Sequence, residues 1–480
     1  MLGGYRRKSY LCDVKKKSTM SMKQILIICF ALAAVPTVAQ TQWTMQQCMR
    51  YAVEHNHEVK RAELELDNYK AQKVGAAGRF LPAVDASIGA QYNFGRAIDP
   101  ETNGYTDVST FYNGYSLQAS LPVFDGFSRV HALRAAKAGV LLGQSALQQR
   151  QSLTALSVLQ AFTDAVYYEG MVKMAGEKVE ETELLLRQTR LLEEVGRKSA
   201  ADVAQVESQK AEADYELTRQ QNLLTSAMLE LKKSMGYPLN ESLTPDLSPQ
   251  EERGIDAYSA ETLDSRSNHS PLLGREIGEE AVARYQMEVA EQEWRQARAA
   301  FFPSLSLSAG LNTTYFHTLH ANTVQSFPTQ FRNNMGEYVV ATLSIPLFNR
   351  LQTITNVRKA KNNYRIAREN YEQKRLELEK LSREAWHDWQ GYLRQAEQMA
   401  KKVAADSLAY QLTRRQFEEG LSTAIDLHAT STQLLTSKAT LLQCQLMAVV
   451  KEQLVRYYQG KTIWSSERRA EFTPAIPSRE

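Results

Sequence analysis

The chain is 480 residues long, with 57 Lys and Arg against 54 Asp and Glu. Seven of those cations and one aspartate fall in the first 39 residues, so the remainder carries a net charge of −3. That balance excludes the strongly basic composition of a nucleic-acid-binding protein, and the two cysteines after residue 39, Cys48 and Cys444, are too few for a disulfide framework and read as unpaired structural thiols.

Residues 1–39 read as a secretory signal peptide. Lys23 precedes an apolar run over 25–35, and Thr37-Val38-Ala39 supplies a small-x-small cleavage site before Gln40. The run is too short to span a bilayer. Residues 1–19, with Arg6, Arg7, Lys8, Lys15, Lys16 and Lys17, read as an over-called start, Met20 or Met22 being the initiator. No later apolar stretch approaches the ~20 residues of a transmembrane helix.

The next segment predicts one helix over 44–78. His55 and His57 stand two apart, wrong for two ligands on one helical face, and read as a solvated helix start. Pro82 changes the period. Val84, Ala86, Ile88 and Ala90 alternate with Asp85, Ser87, Gly89 and Gln91, which predicts a strand over 83–95. Tyr115, Leu117, Ala119 and Leu121 alternate with Ser116, Gln118 and Ser120 in a second strand, 112–122, that Pro122 is expected to close. After Pro303 the pattern returns over 304–316, and again over 337–346 before Pro346. Strands of about ten residues cross a bilayer when tilted. Tyr92, Phe94, Phe111, Tyr112, Tyr115, Tyr315, Phe316 and Tyr338 gather towards the loop ends, as an interfacial girdle would. Four strands cannot close a barrel and lipid tolerates no open edge, so several copies must contribute strands.

Residues 125–194 contain no proline and predict a helix of about 70 residues, on the order of 100 Å long. The chain returns through 201–235, where Val203, Lys210, Leu217, Leu224 and Leu231 are spaced by seven and Val206, Ala213, Gln220 and Ala227 form a second seam. Leu427, Leu434, Leu441, Ala448 and Val455 repeat that register. Such heptads mean coiled-coil packing, with each long helix matched by two shorter ones of about 35 residues. Prolines break every period in 236–270, and the tail 461–480 is polar. Both segments are expected at one level, halfway along the helical column.

Residues 195–203, VGRKSAADV, recur as 419–427, EGLSTAIDL, 224 residues later. Gly196 and Gly420 supply the left-handed φ that ends a helix, and Asp202 and Asp426 lead into the next one. Each copy reads as the tip of a helical hairpin. Leu121-Pro122-Val123-Phe124 reappears as Ile345-Pro346-Leu347-Phe348 at the same offset. The chain is therefore a tandem duplication, with repeats over 40–235 and 271–460.

The order of these tips and of the strand-flanking prolines Pro82, Pro122, Pro303 and Pro346 resembles the TolC-like outer-membrane efflux protein family, over essentially the whole chain after residue 39. The resemblance implies a mixed fold, mainly α by residue count: a membrane β-barrel plus a long α-helical barrel. It implies a homotrimer, with four strands per protomer in a 12-stranded barrel above a 12-helix periplasmic tunnel. It further implies a passive duct without catalytic centre or cofactor, set in the outer membrane of a Gram-negative bacterium. An inner-membrane pump, proton-driven or ABC-type, would feed it through a periplasmic adaptor. Family members often carry a tyrosine three residues before the second tip glycine and an arginine two after it, tying the tunnel shut. Here those positions are Phe417 and Ser422, and the nearby cations are Arg197 and Lys198, so closure is expected to be wired through other groups. No Ser-His-Asp grouping, phosphate loop or zinc spacing is present, and His387-Asp388 reads as helix packing. The competing reading is a trimeric structural or adhesive stalk without channel activity. The polar strand faces, which call for a wet lumen, weigh against it.

Overall fold

The computed structural model describes residues 43–98, 103–107, 109–241, 243, 245, 277–318 and 325–464. The expected signal peptide 1–39, most of the segment 236–270 and the tail beyond 464 lie outside the described residues. The elements, in chain order, are α1 Met45–His55, α2 His57–Gly78, β1 Ala83–Asn93, β2 Arg96–Ile98, β3 Tyr105–Asp107, β4 Thr110–Phe124, α3 Ser128–Glu194, α4 Ala200–Met235, α5 Gly278–Arg298, β5 Ser304–Thr318, α6 Phe327–Asn333, β6 Gly336–Ser344, α7 Gln352–Glu418 and α8 Ala424–Tyr458.

The duplication is visible in the backbone. The long helices α3 and α7 each have 67 residues, and each is entered through two successive left-handed residues: Gly126 and Phe127 in one half, Arg350 and Leu351 in the other. Gly126 has a second constraint, since a Cβ there would lie 2.6 Å from the Ala299 carbonyl and 2.8 Å from Phe302 Cβ. The strand-to-helix joint of the first half is thus wedged against the helix-to-strand joint of the second.

β1, β4, β5 and β6 form one antiparallel sheet in that order, and β2 pairs with β3 in a separate hairpin. The helical columns follow the same order, α2 on α3, α3 on α5 and α5 on α7, so each strand continues into its own column. Below, α4 packs on α3 and α8 on α7, with α8 also touching α3. The wall is one helix thick. Register separates the faces through the middle of the sheet: Ala86, Leu117 and Leu311 share one face, while Ser87, Ser116 and Asn312 share the other. α6 covers the loop end of the apolar face, where Phe327 and Phe331 pack on Tyr115 and Tyr315, but among the described residues the rest of that face is bare, and Ile88 and Val339 are 74% exposed.

Two apolar clusters hold the column. The larger lies at mid-height of both long helices, where Leu159, Phe162, Leu231, Met235, Leu378 and Tyr457 are buried with α1 residues Cys48 and Met49. Leu243, Ile463 and Trp464 join it, so the described parts of both irregular segments meet at that level. The heptad seam is real, with Val206, Ala213, Gln220, Ala227 and Leu231 buried on α4 and Leu427, Leu434, Ala448 and Val455 on α8. Both cysteines are free and buried, and burial pushes the Cys48 thiol up to about 12.

Several expectations need correction. The 44–78 helix is two, because the Asn56 side chain accepts from the Glu58 N–H at 2.7 Å and caps α2. The upper short helices are also shorter than expected, at 22 residues for α2 and 21 for α5. Pro122 does not close its strand. Pairing with β1 stops at Ser120, so Pro122 faces a neighbour on one side only, and β4 runs to Phe124 through an irregularity between Pro122 and Phe124. The other strands end at Asn93, Thr318 and Ser344 rather than at 95, 316 and 346. The aromatic girdle is split: Tyr92, Phe111, Tyr115 and Tyr315 lie on the apolar face, Tyr112, Phe316 and Tyr338 on the polar one. His55 stacks on Tyr51 and bonds its carbonyl, and Asp388 pairs with Lys451 at 2.7 Å.

Asn56 also donates from its amide to the Ser234 carbonyl at 2.7 Å, which joins the break between α1 and α2 to the end of α4. Asn56→Ala removes both bonds and should lower stability by ~1–2 kcal/mol, read as a fall in Tm in detergent. Asn56→Asp keeps the cap, loses the donor, and should fall between the two.

Candidate functional site

The two hairpin tips share one local design. At the end of α3 the Gly196 N–H donates to the Glu193 carbonyl and the Arg197 N–H to that of Leu192, both at 2.8 Å. At the end of α7 the Gly420 N–H donates to Phe417 at 3.0 Å and the Leu421 N–H to Gln416 at 2.7 Å. Both are Schellman closures, with glycine φ of 70° and 81°. Three residues after each glycine, Ser199 and Thr423 cap the returning helices.

Asp202 and Asp426 complete capping boxes. Asp202 Oδ2 accepts from the Ser199 N–H at 2.9 Å and its hydroxyl at 2.8 Å. Asp426 Oδ2 accepts from the Thr423 N–H at 3.1 Å, the Thr423 hydroxyl at 2.6 Å and the Ser422 hydroxyl at 3.4 Å. Ser422 therefore supports the acid of its own tip. The Ser199 backbone bond, then its hydroxyl, then the Lys198 charge hold the Asp202 carboxyl below the usual range. For Asp426 the Thr423 hydroxyl comes first, followed by the Thr423 N–H and Ser422.

Phe417 is the residue that joins the tips. It is 3% exposed, in a cluster with Leu185, Leu186, Val203, Val206, Ala424 and Leu427 drawn from all four lower helices. Lys198 Nζ of the first tip lies 4.6 Å from the centre of its ring, a cation–π contact. Arg197 is exposed. Gln209, buried on α4, donates from Nε2 to the Ala424 carbonyl at 3.3 Å and adds a second link between the tips.

Sequence reasoning missed a polar seam above this cluster. Tyr410 donates its hydroxyl to Glu181, which also accepts from Lys178 at 3.1 Å and from Ser431 at 3.3 Å. Higher up, Lys402 meets Asp406 at 2.6 Å and the buried Ser437 hydroxyl at 2.9 Å. Serine within a heptad seam was the available signal. The strand-flanking Pro82 and Pro303 sit just before β1 and β5, and Pro346 follows β6. Among the described residues no group of three or more His, Cys, Asp or Glu could hold a metal, and no helix is long and apolar enough to cross a membrane.

A family profile described as outer membrane efflux protein matches residues 49–237 and 281–458. The chain belongs to this family. Membership places it in the bacterial outer membrane, in a family of channels rather than enzymes. It is similar to the toluene efflux pump outer membrane protein TtgC of Pseudomonas putida, 26% identical over 268 residues, covering 55% of this chain and 53% of that protein. The chain thus spans about half the length of that relative. It is also similar to the alkaline protease secretion protein AprF of Pseudomonas aeruginosa, 23% identical over 390 residues, covering 77% and 75%. Among solved structures, the outer membrane protein VceC of Vibrio cholerae superposes with a TM-score of 0.73 at 15% identity, covering 87% of this chain and 96% of that one. The fold is the TolC-like one.

Because the folded pKa of each tip acid is depressed, its contribution to the tip is present at neutral pH and is lost as pH falls through the lowered value. Hydrogen exchange below pH ~4 should therefore deprotect the amides at 199–203 and 423–427 while those around Leu159 stay protected. Asp202→Ala and Asp426→Ala should deprotect the tips at neutral pH as well. An unchanged exchange profile in both variants would remove the capping role.

Proposed function

We propose that this chain is the exit duct of a tripartite efflux or type I secretion system, working as a homotrimer that carries cargo passively out through the outer membrane. One observation carries the reading. Among the described residues the four-stranded sheet has two unpaired edges, β1 and β6, and an apolar face left bare except at its loop end, yet it continues strand by strand into four helical columns. Three copies would supply twelve strands, enough to close a barrel with a wet lumen, and the columns beneath would close into a tunnel. The polar face, with Ser87, Ser116, Gln118, Ser306 and Asn312, would line the lumen, and the apolar face would meet lipid. A periplasmic adaptor would engage the helical wall, and an inner-membrane pump would supply the energy. The names of the relatives span toluene efflux and protease secretion, and both cargo classes suit a wide passive pore.

The tips would form the resting gate. Lys198 over Phe417 replaces the tyrosine and arginine contacts of other members, and Asp202 and Asp426 of three copies would gather six carboxylates where the tunnel narrows. Pairing of these acids with Arg197 of a neighbouring tip would add to closure. Individual wet pairs contribute ~1 kcal/mol or less, so closure would be shared and an adaptor could open it with modest competing contacts.

Arg at Leu117 or Leu307 should cost ~2–4 kcal/mol near the bilayer centre and block assembly, whereas Arg at Gln118 or Ser306 should assemble normally and shift ion selectivity. Native mass measurement and single-channel recording read both outcomes, and a stable monomer with full strand content would overturn the barrel. At the tip, Arg197→Ala with Lys198→Ala should raise the resting conductance, and Asp202→Asn with Asp426→Asn should weaken cation preference. Intact trimers showing neither change would move the gate elsewhere.

A further inference from the structure

The charge of the column is unevenly distributed. The stretches adjoining the strands, 70–79, 125–139, 291–301 and 348–362, hold twelve Lys or Arg against three Asp or Glu, in a chain that is net negative after residue 39. Two of those acids, Asp125 and Glu291, are paired with Arg129 and Arg295. The cations are also duplicated. Arg134 and Lys137 on α3 recur as Arg358 and Lys361 on α7, 224 residues later. All four are exposed, and among the described residues none has an ion-pair partner.

Helix contacts say which way they point. On α3, Gly139 and Gly143 lie against Tyr69 of α2, while His131 bonds Gln292 of α5 at 3.1 Å. At ~100° per residue these arcs are about 100° apart, so the wall curves around the narrow side between them. Arg134 and Lys137 stand on the broad, outer side. The 224-residue duplication puts Arg358 and Lys361 at the equivalent positions of α7. Lys361 and Arg298 flank the Trp294 ring at 5.8 and 5.7 Å.

Height supplies a second, independent observation. Between the strands and the cations lies a zone of exposed apolar side chains: Phe127, Phe301, Phe302, Leu347 at 92% and Phe348 at 78%. Arg134 and Arg358 follow six residues into their helices, ~9 Å further from the sheet, and Lys137 and Lys361 ~14 Å. Apolar strands, then aromatics, then long cations is the sequence a bilayer imposes from hydrocarbon through interface to headgroups.

We propose that the duplicated Arg134/Lys137 and Arg358/Lys361 pairs form an outward cationic collar that binds the anionic phosphate headgroups of the periplasmic leaflet and fixes the height of the protein in the membrane. The proposal rests on the membrane-spanning reading above. Long side chains reach up towards the phosphates while their stems cover helix surface. Attraction of this kind fades within a Debye length, so the collar acts only on the leaflet next to it.

The test uses the full protein in phosphatidylcholine bilayers containing about 30% phosphatidylglycerol, with spin-labelled forms of each lipid. Phosphatidylglycerol should be favoured several-fold among the motionally restricted lipids at about 50 mM salt, and that preference should collapse at about 500 mM. Replacing all four residues by Gln should abolish it, and Arg134→Lys with Arg358→Lys should retain it, which shows that charge rather than folding is being read. No preference in the wild type, or a preference surviving the four Gln substitutions, would overturn the collar. So would loss of preference in millimolar inorganic phosphate at constant ionic strength, which would mark a soluble-anion site. Single-channel conductance on the same samples separates the two readings, because intact conductance without lipid preference sinks the collar alone, and absent conductance sinks the duct.

Discussion

The two open edges of the sheet are the constraint from which the rest of this structure follows. Outside water, an unpaired N–H or C=O on β1 or β6 costs several kcal/mol, and a four-stranded sheet carries a row of them on each side. Closure with other copies, as proposed above, would fix the curvature of the sheet. Each strand then passes directly into a column, so curvature fixed in the sheet is transmitted to the helices. Gly126, wedged beneath the Ala299 carbonyl, makes that transmission stiff at the joint between the two halves.

A wall one helix thick has no deep interior, and its apolar residues are concentrated at two heights. The equatorial cluster is broad, contains α1 and four tryptophan rings, and anchors both long helices at mid-length. The tip cluster is small, with seven buried residues centred on Phe417. Between them the seam is mixed, with isolated buried residues such as Ala213 and Leu434 interspersed with polar contacts through Lys178, Glu181, Tyr410 and Ser431 and then Lys402, Asp406 and Ser437. Interactions of this type exchange readily with water and contribute about 1 kcal/mol each. The column is accordingly firm at its equator and least committed towards its tips, which is where the proposed duct would need to change shape.

What was legible in the sequence was whatever is periodic. Strand faces repeat every two residues and heptads every seven, and both came through with their registers intact. The breaks were less visible. Asn56 interrupts a helical pattern that continues on either side, and only its bond to Glu58 reveals the cap. Pro122 looked like a terminator because its tolerance depends on where the neighbouring strand stops. The α6 segment was invisible, since Gln330 replaces a strand there, with its side-chain amide accepting from the Phe316 N–H and donating to the Phe316 carbonyl, each at 3.0 Å. In the sequence Phe417 differs from the tyrosine that family members often carry there only by lacking a hydroxyl. Its place in the structure is that of a buried ring, and no local pattern distinguishes a lost hydrogen bond from a gained core contact.

Each tip aspartate uses its two carboxylate oxygens differently. A helix cap and a pore-lining charge look like rival roles for one carboxylate. Yet in both tips every capping bond falls on a single oxygen, Oδ2, which takes two donors in Asp202 and three in Asp426. The bonds that hold these acids below the usual carboxylate range also keep them ionised at neutral pH. Capping therefore fixes the orientation of the group and, in the proposed trimer, would leave its second oxygen available to a cation in the tunnel or on a neighbouring tip. The same local bond that starts the returning helix would make the charge at the constriction permanent. The two roles then reinforce each other rather than compete.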